Sequence, residues 1–292
     1  MYNNKYPLFL LLGLFFCLTQ AFSQEVIPLY TTGKVPNATN GDMPTLTVYK
    51  PENGKGNGTG IIICSGGAYL GVADVVEGIP AAKKLTGAGI TCFLVQYRVP
   101  DSSKMTHKET VPVMDAQRAI QYVREHARDF KIDQHKLGMM GFSAGGHLVS
   151  TLCTHPNDIY IDNPTHINLK PDFMVLIYPV ISFSDSLTHV VSRMQLIGPD
   201  ITPEKIQYYS NELQVTDSTP PTFITHAMDD DGVSVKNSLY FYAALQQHQV
   251  PAKLFLYAKG RHAFGAYNKE ATVQWIDSCI EWINSKEWRS SK

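Results

Sequence analysis

The sequence predicts an α/β fold, a mostly parallel, doubly wound sheet with helices on both faces and a small cap insertion. Three observations predict it. Apolar runs of strand length alternate with segments of helical periodicity along most of the chain. Most of those runs are continuously apolar rather than alternating, as in strands covered on both faces. The chain has 292 residues, 44% hydrophobic and 17% charged, which is enough to bury one large sheet-centred core. A net charge of −1 gives no electrostatic footprint for nucleic acid. There is no basic run, internal repeat, low-complexity tract or zinc-type cysteine spacing.

The chain opens on a targeting pattern. Lys5, the apolar core "PLFLLLGLFFCL" and the small residues Ala21 and Ser23 read as a signal peptide over 1–23, leaving Gln24 first. The core is too short to span a bilayer, so no membrane span is expected in the mature chain. Bulky Phe15 and Phe16 stand before Cys17 where a lipoprotein signal needs small residues, which argues against a lipid anchor. Export to the periplasm or the medium is the expectation, with one domain over 24–292.

Within that domain "TLTVYKP" alternates as a half-exposed strand should. "GIIIC", "TCFLVQYR", "KLGMMGF", "FMVLIYP", "PTFITHAM" and "AKLFLYA" read as buried strands. Helical spacing runs through "VEGIPAAKKLTGAG", "VMDAQRAIQYVREHARDF", "VKNSLYFYAALQQHQ" and "ATVQWIDSCIEWINSK". The one long irregular piece, about 182–219, exceeds the usual connection length and reads as a cap rather than a second domain. Inside it "TPEKIQYYSNELQV" predicts a helix started by Thr202 and Pro203. Cys64, Cys92, Cys153 and Cys279 all fall in apolar strand-like or helix-like runs and read as buried small hydrophobes. Asn37-Ala-Thr39 and Asn57-Gly-Thr59 match the glycosylation sequon, which matters only in a eukaryotic source.

Four loops, each just after a separate buried strand, carry the candidate chemistry. "GFSAGG" has the G-x-S-x-G spacing between a strand and a helix. Side chains at 141 or 145 would collide with neighbouring elements in the sharp turn that exposes Ser143, and the helix behind it favours developing negative charge. The alternative is an N-cap serine in a glycine-rich turn. In "CSGGAYLG", Gly66 and Gly67 allow backbone N–H groups to approach a substrate, as an oxyanion hole requires. "HAMDDDGV" offers Asp229, Asp230 and Asp231, and "KGRHAFG" offers His262. Taken singly these read as a strand-end turn, an acidic turn and a structural histidine. Together they lie at carboxyl ends that share one edge of a parallel sheet. Their chain order, Ser then Asp then His, is that of α/β-hydrolases.

On "CSGGAYLGVADVVEG", "VQYRV", "DAQRAIQYVR", "GFSAGGHL", "LIYPVIS", "PPTFITHAMDDDGVSVKNSLYFYAAL" and "GRHAFG", the chain resembles α/β-hydrolase esterases of the acetylxylan esterase and related bacterial carbohydrate-esterase type. The resemblance runs from "IPLYTTGKVP" to the final helix. It implies the α/β-hydrolase fold, with Ser143 as nucleophile and His262 as general base. It selects Asp230 as the acid, through the D-x-x-V spacing to Val233, and gives His147 a structural role. The departures are Arg261 and Ala263 around the histidine, Ala68 where a third glycine is common, and Ser65 where "HGGG" lipases have histidine. These bear on substrate fit more than on backbone donors, for which Gly67, Ala68 and Ala144 are the candidates.

The implied reaction is ester hydrolysis with no metal or organic cofactor, on an esterified carbohydrate or another small ester. Deacetylation of plant polysaccharides or oligosaccharides leads the readings. A feruloyl esterase or a general short-chain carboxylesterase is the alternative, and a non-catalytic hydrolase-fold binding protein is the rival from another class. About twenty residues between the leader and "TLTVYKP" leave no room for the propeller of prolyl-oligopeptidase-type peptidases, and the insertion is too polar for a lipase lid. A short cap predicts a shallow acyl pocket, with Tyr69, Tyr208 and Tyr209 as faces on which a sugar can stack or as cap packing.

Overall fold

The computed structural model describes residues 24–31, 33–37, 42–285 and 288. The segment 1–23 read as a signal peptide, with Cys17, lies outside the described residues, as does Thr39 of the first sequon. Eight strands form one sheet: β1 (Glu25–Pro28), β2 (Thr45–Tyr49), β3 (Gly60–Cys64), β4 (Thr91–Gln96), β5 (Leu137–Phe142), β6 (Phe173–Ile177), β7 (Thr222–Ala227) and β8 (Ala252–Tyr257). Their order is β1-β2-β4-β3-β5-β6-β7-β8. The β1–β2 and β2–β4 pairs are antiparallel and the remaining five are parallel. The helices are α1 (Gly78–Gly87), α2 (Val111–Glu125), α3 (Ser143–Thr154), α4 (Val190–Ile197), α5 (Pro203–Tyr208), α6 (Lys236–Gln247) and α7 (Trp275–Asn284).

The continuously apolar strands arise because successive side chains enter different cores. Ile62 and Cys64 of β3, Phe93 and Val95 of β4, and Leu137 and Met139 of β5 pack with Ala116, Ile120, Val123, Leu148 and Phe241 from α2, α3 and α6. Ile61 and Ile63, Cys92 and Leu94, and Met140 and Phe142 pack on the other face with Ala81, Leu85, Trp275, Ile276 and Cys279 from α1 and α7. Each such fully buried aliphatic or aromatic side chain stabilises the fold by about 1.5–3 kcal/mol. Among the described residues the four cysteines, Cys64, Cys92, Cys153 and Cys279, are free thiols buried in these layers.

Two elements lie outside the sequence reading. β1 is a four-residue strand, too short to show a period. The insertion holds α4 as well as the expected α5, whose Thr202 side chain accepts from the Lys205 N–H. The insertion also docks on α3: Asn211 donates to the Ser150 hydroxyl at 2.8 Å and to the Thr151 hydroxyl at 3.0 Å.

Sheet register explains why distant loops meet. β3 and β5 are neighbours with Cys64 opposite Gly141, so the loop after β3 lies beside the turn after β5. β7 and β8 are neighbours with Ala227 opposite Tyr257, so the loops carrying the aspartates and His262 adjoin. β6 runs between them, with Ile177 opposite both Phe142 and Thr225.

Candidate active site

Ser143 is the first residue of α3 and has φ +47°, a left-handed conformation unfavourable for a residue with a Cβ. The two glycines around it permit this turn. A Cβ on Gly141 would stand 2.3 Å from the Gly145 carbonyl oxygen, and one on Gly145 would stand 2.2 Å from the Cys64 carbonyl oxygen. The Ser143 hydroxyl lies 2.9 Å from His262 Nε2, and His262 Nδ1 lies 2.8 Å from Asp230 Oδ2. Gly232 leaves room for the imidazole, since a Cβ there would sit 3.1 Å from the His262 ring.

The three consecutive aspartates separate by contact. Asp229 accepts from the Arg261 backbone N–H at 2.9 Å, and Asp231 pairs with the Arg261 guanidinium at the surface. Asp230 alone of the three reaches His262. Its other oxygen accepts from the backbone N–H groups of Gly232 and Val233 at 2.9 and 2.8 Å. Burial opposes ionisation of Asp230. Hydrogen bonds from His226 and His262 outweigh it and hold the carboxyl far below the usual carboxylate range.

His226 did not emerge from the sequence reading. It is fully buried at the end of β7, with Nε2 at 3.0 Å from both Asp230 Oδ2 and the Val233 carbonyl. Both are acceptors, so Nε2 carries the proton, and Nδ1 accepts from the Ser238 hydroxyl at 2.7 Å. His226 thus fixes the carboxylate that fixes His262. The available signal was a histidine inside an otherwise apolar buried strand.

The loop after β3 is folded back on itself by Leu70 N–H to Gly67 O at 2.9 Å and Ala73 N–H to Gly66 O at 3.0 Å. Gly67 has φ +125°, and a Cβ there would meet the Gly71 carbonyl at 2.3 Å. Ala68 and Tyr69 follow with φ +56° and +60°. Among the described residues no acceptor takes the Gly67 or Ala68 N–H. The Ala144 N–H, in the first turn of α3, has no partner within its own helix. The Gly66 N–H is different: it donates to the buried carboxylate of Glu77 at 2.5 Å.

Two of the candidate stacking faces are corrected. Tyr69 is 1% exposed, with its hydroxyl 3.0 Å from His147 Nδ1, and Tyr209 is also buried. Both are enclosed by the packing around His147, which donates from Nε2 to the Tyr209 carbonyl at 3.0 Å. Tyr208 is half-buried and tied to Asp158 and Tyr160. His189, ahead of α4, faces the site from the insertion. Burial and then the neighbouring His262 hold it below the ordinary imidazole range. No group of three His, Cys, Asp or Glu side chains converges as a metal-ligand set among the described residues.

The BD-FAE family model matches residues 46–245. The chain is 32% identical to the endo-1,4-beta-xylanase B of Butyrivibrio fibrisolvens over 82% of its own length and 37% of that protein. It is 33% identical to the acetylxylan esterase of Xylanibacter ruminicola over 75% of its length and 43% of that protein. It therefore spans less than half of either curated relative. Its structure is similar to that of an acetyl ester-xyloside bifunctional hydrolase from Caldicellulosiruptor lactoaceticus. The TM-score is 0.77 at 35% identity, covering 88% of this chain and 94% of the other. The shared architecture is that of the α/β-hydrolases.

Proposed function

From its place in the BD-FAE family, to which this chain belongs, we infer that it is a serine carboxylic-ester hydrolase that removes short acyl groups, acetyl foremost, from plant polysaccharides or oligosaccharides. The observation that carries the chemistry is the continuous chain Ser143 Oγ, His262, Asp230, with bonds of 2.9 and 2.8 Å. The names of the relatives carry the choice of an acetylated xylan-type ester.

The reaction follows from the bonding. His262 Nε2 takes the Ser143 proton as the hydroxyl oxygen attacks the ester carbonyl, and it returns that proton to the leaving alcohol. Asp230 holds the proton on Nδ1, so that Nε2 is the basic edge, and it stabilises the imidazolium that forms. The N–H groups of Ala144, Gly67 and Ala68 receive the oxyanion; one such donor is worth about 3 kcal/mol in the transition state. Water then attacks the acyl-Ser143 ester by the same route and the acid departs.

The insertion at about 182–219 is too small to be a lid domain, and a short cap of this kind favours a short acyl group on a bulky alcohol. An acyl series of chromogenic esters, run beside acetylated xylan and feruloylated oligosaccharides, tests this. Rates should fall steeply once the acyl chain passes about four carbons, where little apolar wall remains to bury it. Faster cleavage of octanoyl than of acetyl esters would refute the short-acyl reading, and preference for feruloyl esters would move the substrate to that alternative. The 1–23 pattern supports export, with Gln24 at the new N-terminus; N-terminal sequencing of the protein from the medium or periplasm tests it.

A further inference from the structure

Glu77 is a buried carboxylate that the reaction above does not use. It stands just before α1, is 3% exposed, and has no lysine or arginine partner among the described residues. One oxygen accepts from the Gly66 N–H at 2.5 Å, and the other accepts from the Tyr178 hydroxyl at 2.9 Å. The Tyr178 hydroxyl in turn accepts from the Gly265 N–H at 3.1 Å, three residues beyond His262. The Tyr178 ring meets the His262 ring edge-on, with centroids 4.9 Å apart. One carboxylate thus joins the loop after β3, the end of β6 and the loop carrying His262. Gly66 is also packed against the serine, since a Cβ on it would lie 2.8 Å from Ser143 Cβ.

Resting on the esterase reading, we propose that Glu77 is a positioning residue. It holds the Gly67–Ala68 donors in register with Ser143, and its charge supports the protonated form of His262. By consuming the Gly66 N–H it points the loop so that the next two N–H groups are left for the oxyanion. Tyr178 transmits the same constraint to the loop of His262.

The charged and titratable groups around this imidazole bear on the second half of the proposal. Asp230 faces His262 from the loop after β7, His189 from the start of α4, Tyr178 from the end of β6, and Glu77 from the segment before α1, where Asp74 stands near Glu77. Burial pushes the Glu77 carboxyl up. The Gly66 and Tyr178 hydrogen bonds and then the attraction of His262 oppose it. Asp230 is tied by four hydrogen bonds, whereas Glu77 is a second carboxylate near the imidazole, linked to its loop through the Tyr178 hydroxyl.

The test is Glu77→Gln, which keeps the volume and removes the charge. With a small chromogenic acetate, kcat should fall by about 10- to 100-fold with KM changed less than about threefold, the scale of a misplaced oxyanion donor. The acid limb of the kcat/KM profile should move to lower pH by about one unit, because a base without its nearby anion protonates less readily. A kcat like that of the wild type, or a lower kcat with the acid limb unmoved, would overturn the proposal. Should Glu77→Gln not fold, Tyr178→Phe keeps the ring and removes only the bridging hydroxyl. A fall in kcat of about tenfold supports the coupling, and an unchanged kcat refutes it. The wild type and Ser143→Ala run in the same assay keep the readings apart. Activity persisting in Ser143→Ala refutes the esterase mechanism itself, whereas an active wild type with indifferent Glu77 and Tyr178 variants refutes only this inference.

Discussion

Two buried aspartates, Asp115 and Asp230, show how one side chain serves structure in one place and, in the proposed reaction, chemistry in another. Asp115, on α2, accepts from Arg98 Nε, Nη2 and backbone N–H at 2.6–3.2 Å, and both side chains are closed off from solvent. Its partner carries a permanent charge, so nothing in the pair can move a proton. Asp230 is equally enclosed but shares its oxygens among two backbone N–H groups, His226 and His262. His262 keeps a 24% exposed side chain and lies against Ser143. A carboxylate locks the fold when its partner is a guanidinium, and is placed to orient an imidazole when that ring keeps one free edge.

The largest expected effect sharpens the functional side of that contrast. Ser143→Ala should fold like the parent and lose about 10⁶-fold in kcat, as nucleophile loss does elsewhere. Ester hydrolysis assays on folded protein check it. Asp230→Asn should lower kcat by about 10⁴-fold, because an amide no longer enforces the proton on His262 Nδ1. Thermal melting should show that the protein remains folded. Asp115→Asn should do the reverse. Leaving Arg98 buried and uncompensated costs about 3–5 kcal/mol of stability, read by denaturant unfolding, while kcat of the folded fraction stays near the parent value. If Asp115→Asn instead left stability intact and abolished turnover, the comparison would be broken.

A smaller effect comes from a buried histidine with no carboxylate at all. Burial lowers His147 to about 4, so the unfolded chain takes up a proton before the folded one does. The stability this histidine contributes is complete above about pH 6.5 and is lost as pH falls towards 4, up to about 3 kcal/mol. Unfolding of the wild type across that window should be steeper with pH than that of His147→Gln. Parallel curves would mean that His147 is not held neutral by the fold.

The sheet was legible because strands buried on both faces must be apolar throughout, as "GIIIC" and "FMVLIYP" are. The elbow was legible because a left-handed serine beside a crossing strand requires glycine at 141 and 145. Asp230 was selected by its spacing to Val233, and that spacing has a structural counterpart, since Asp230 accepts the Val233 N–H. Glu77 and Tyr178 escaped because they meet far along the chain, and His226 because it sits in a strand that looked apolar, β7. Glu77 meets Tyr178 across 101 residues, a pairing set by sheet order alone. The tyrosines escaped for the opposite reason: an aromatic side chain on a loop reads as exposed until its hydroxyl is seen to have a buried partner.

The most direct test of the account is covalent trapping. The protein treated with one equivalent of a phosphonate ester, digested and read by peptide mass spectrometry, should carry one phosphonyl group on Ser143. Ester hydrolysis should disappear in proportion to that labelling, and Asp230→Asn should label far more slowly. Loss of activity with Ser143 unmodified, or stoichiometric labelling of another residue, would contradict it.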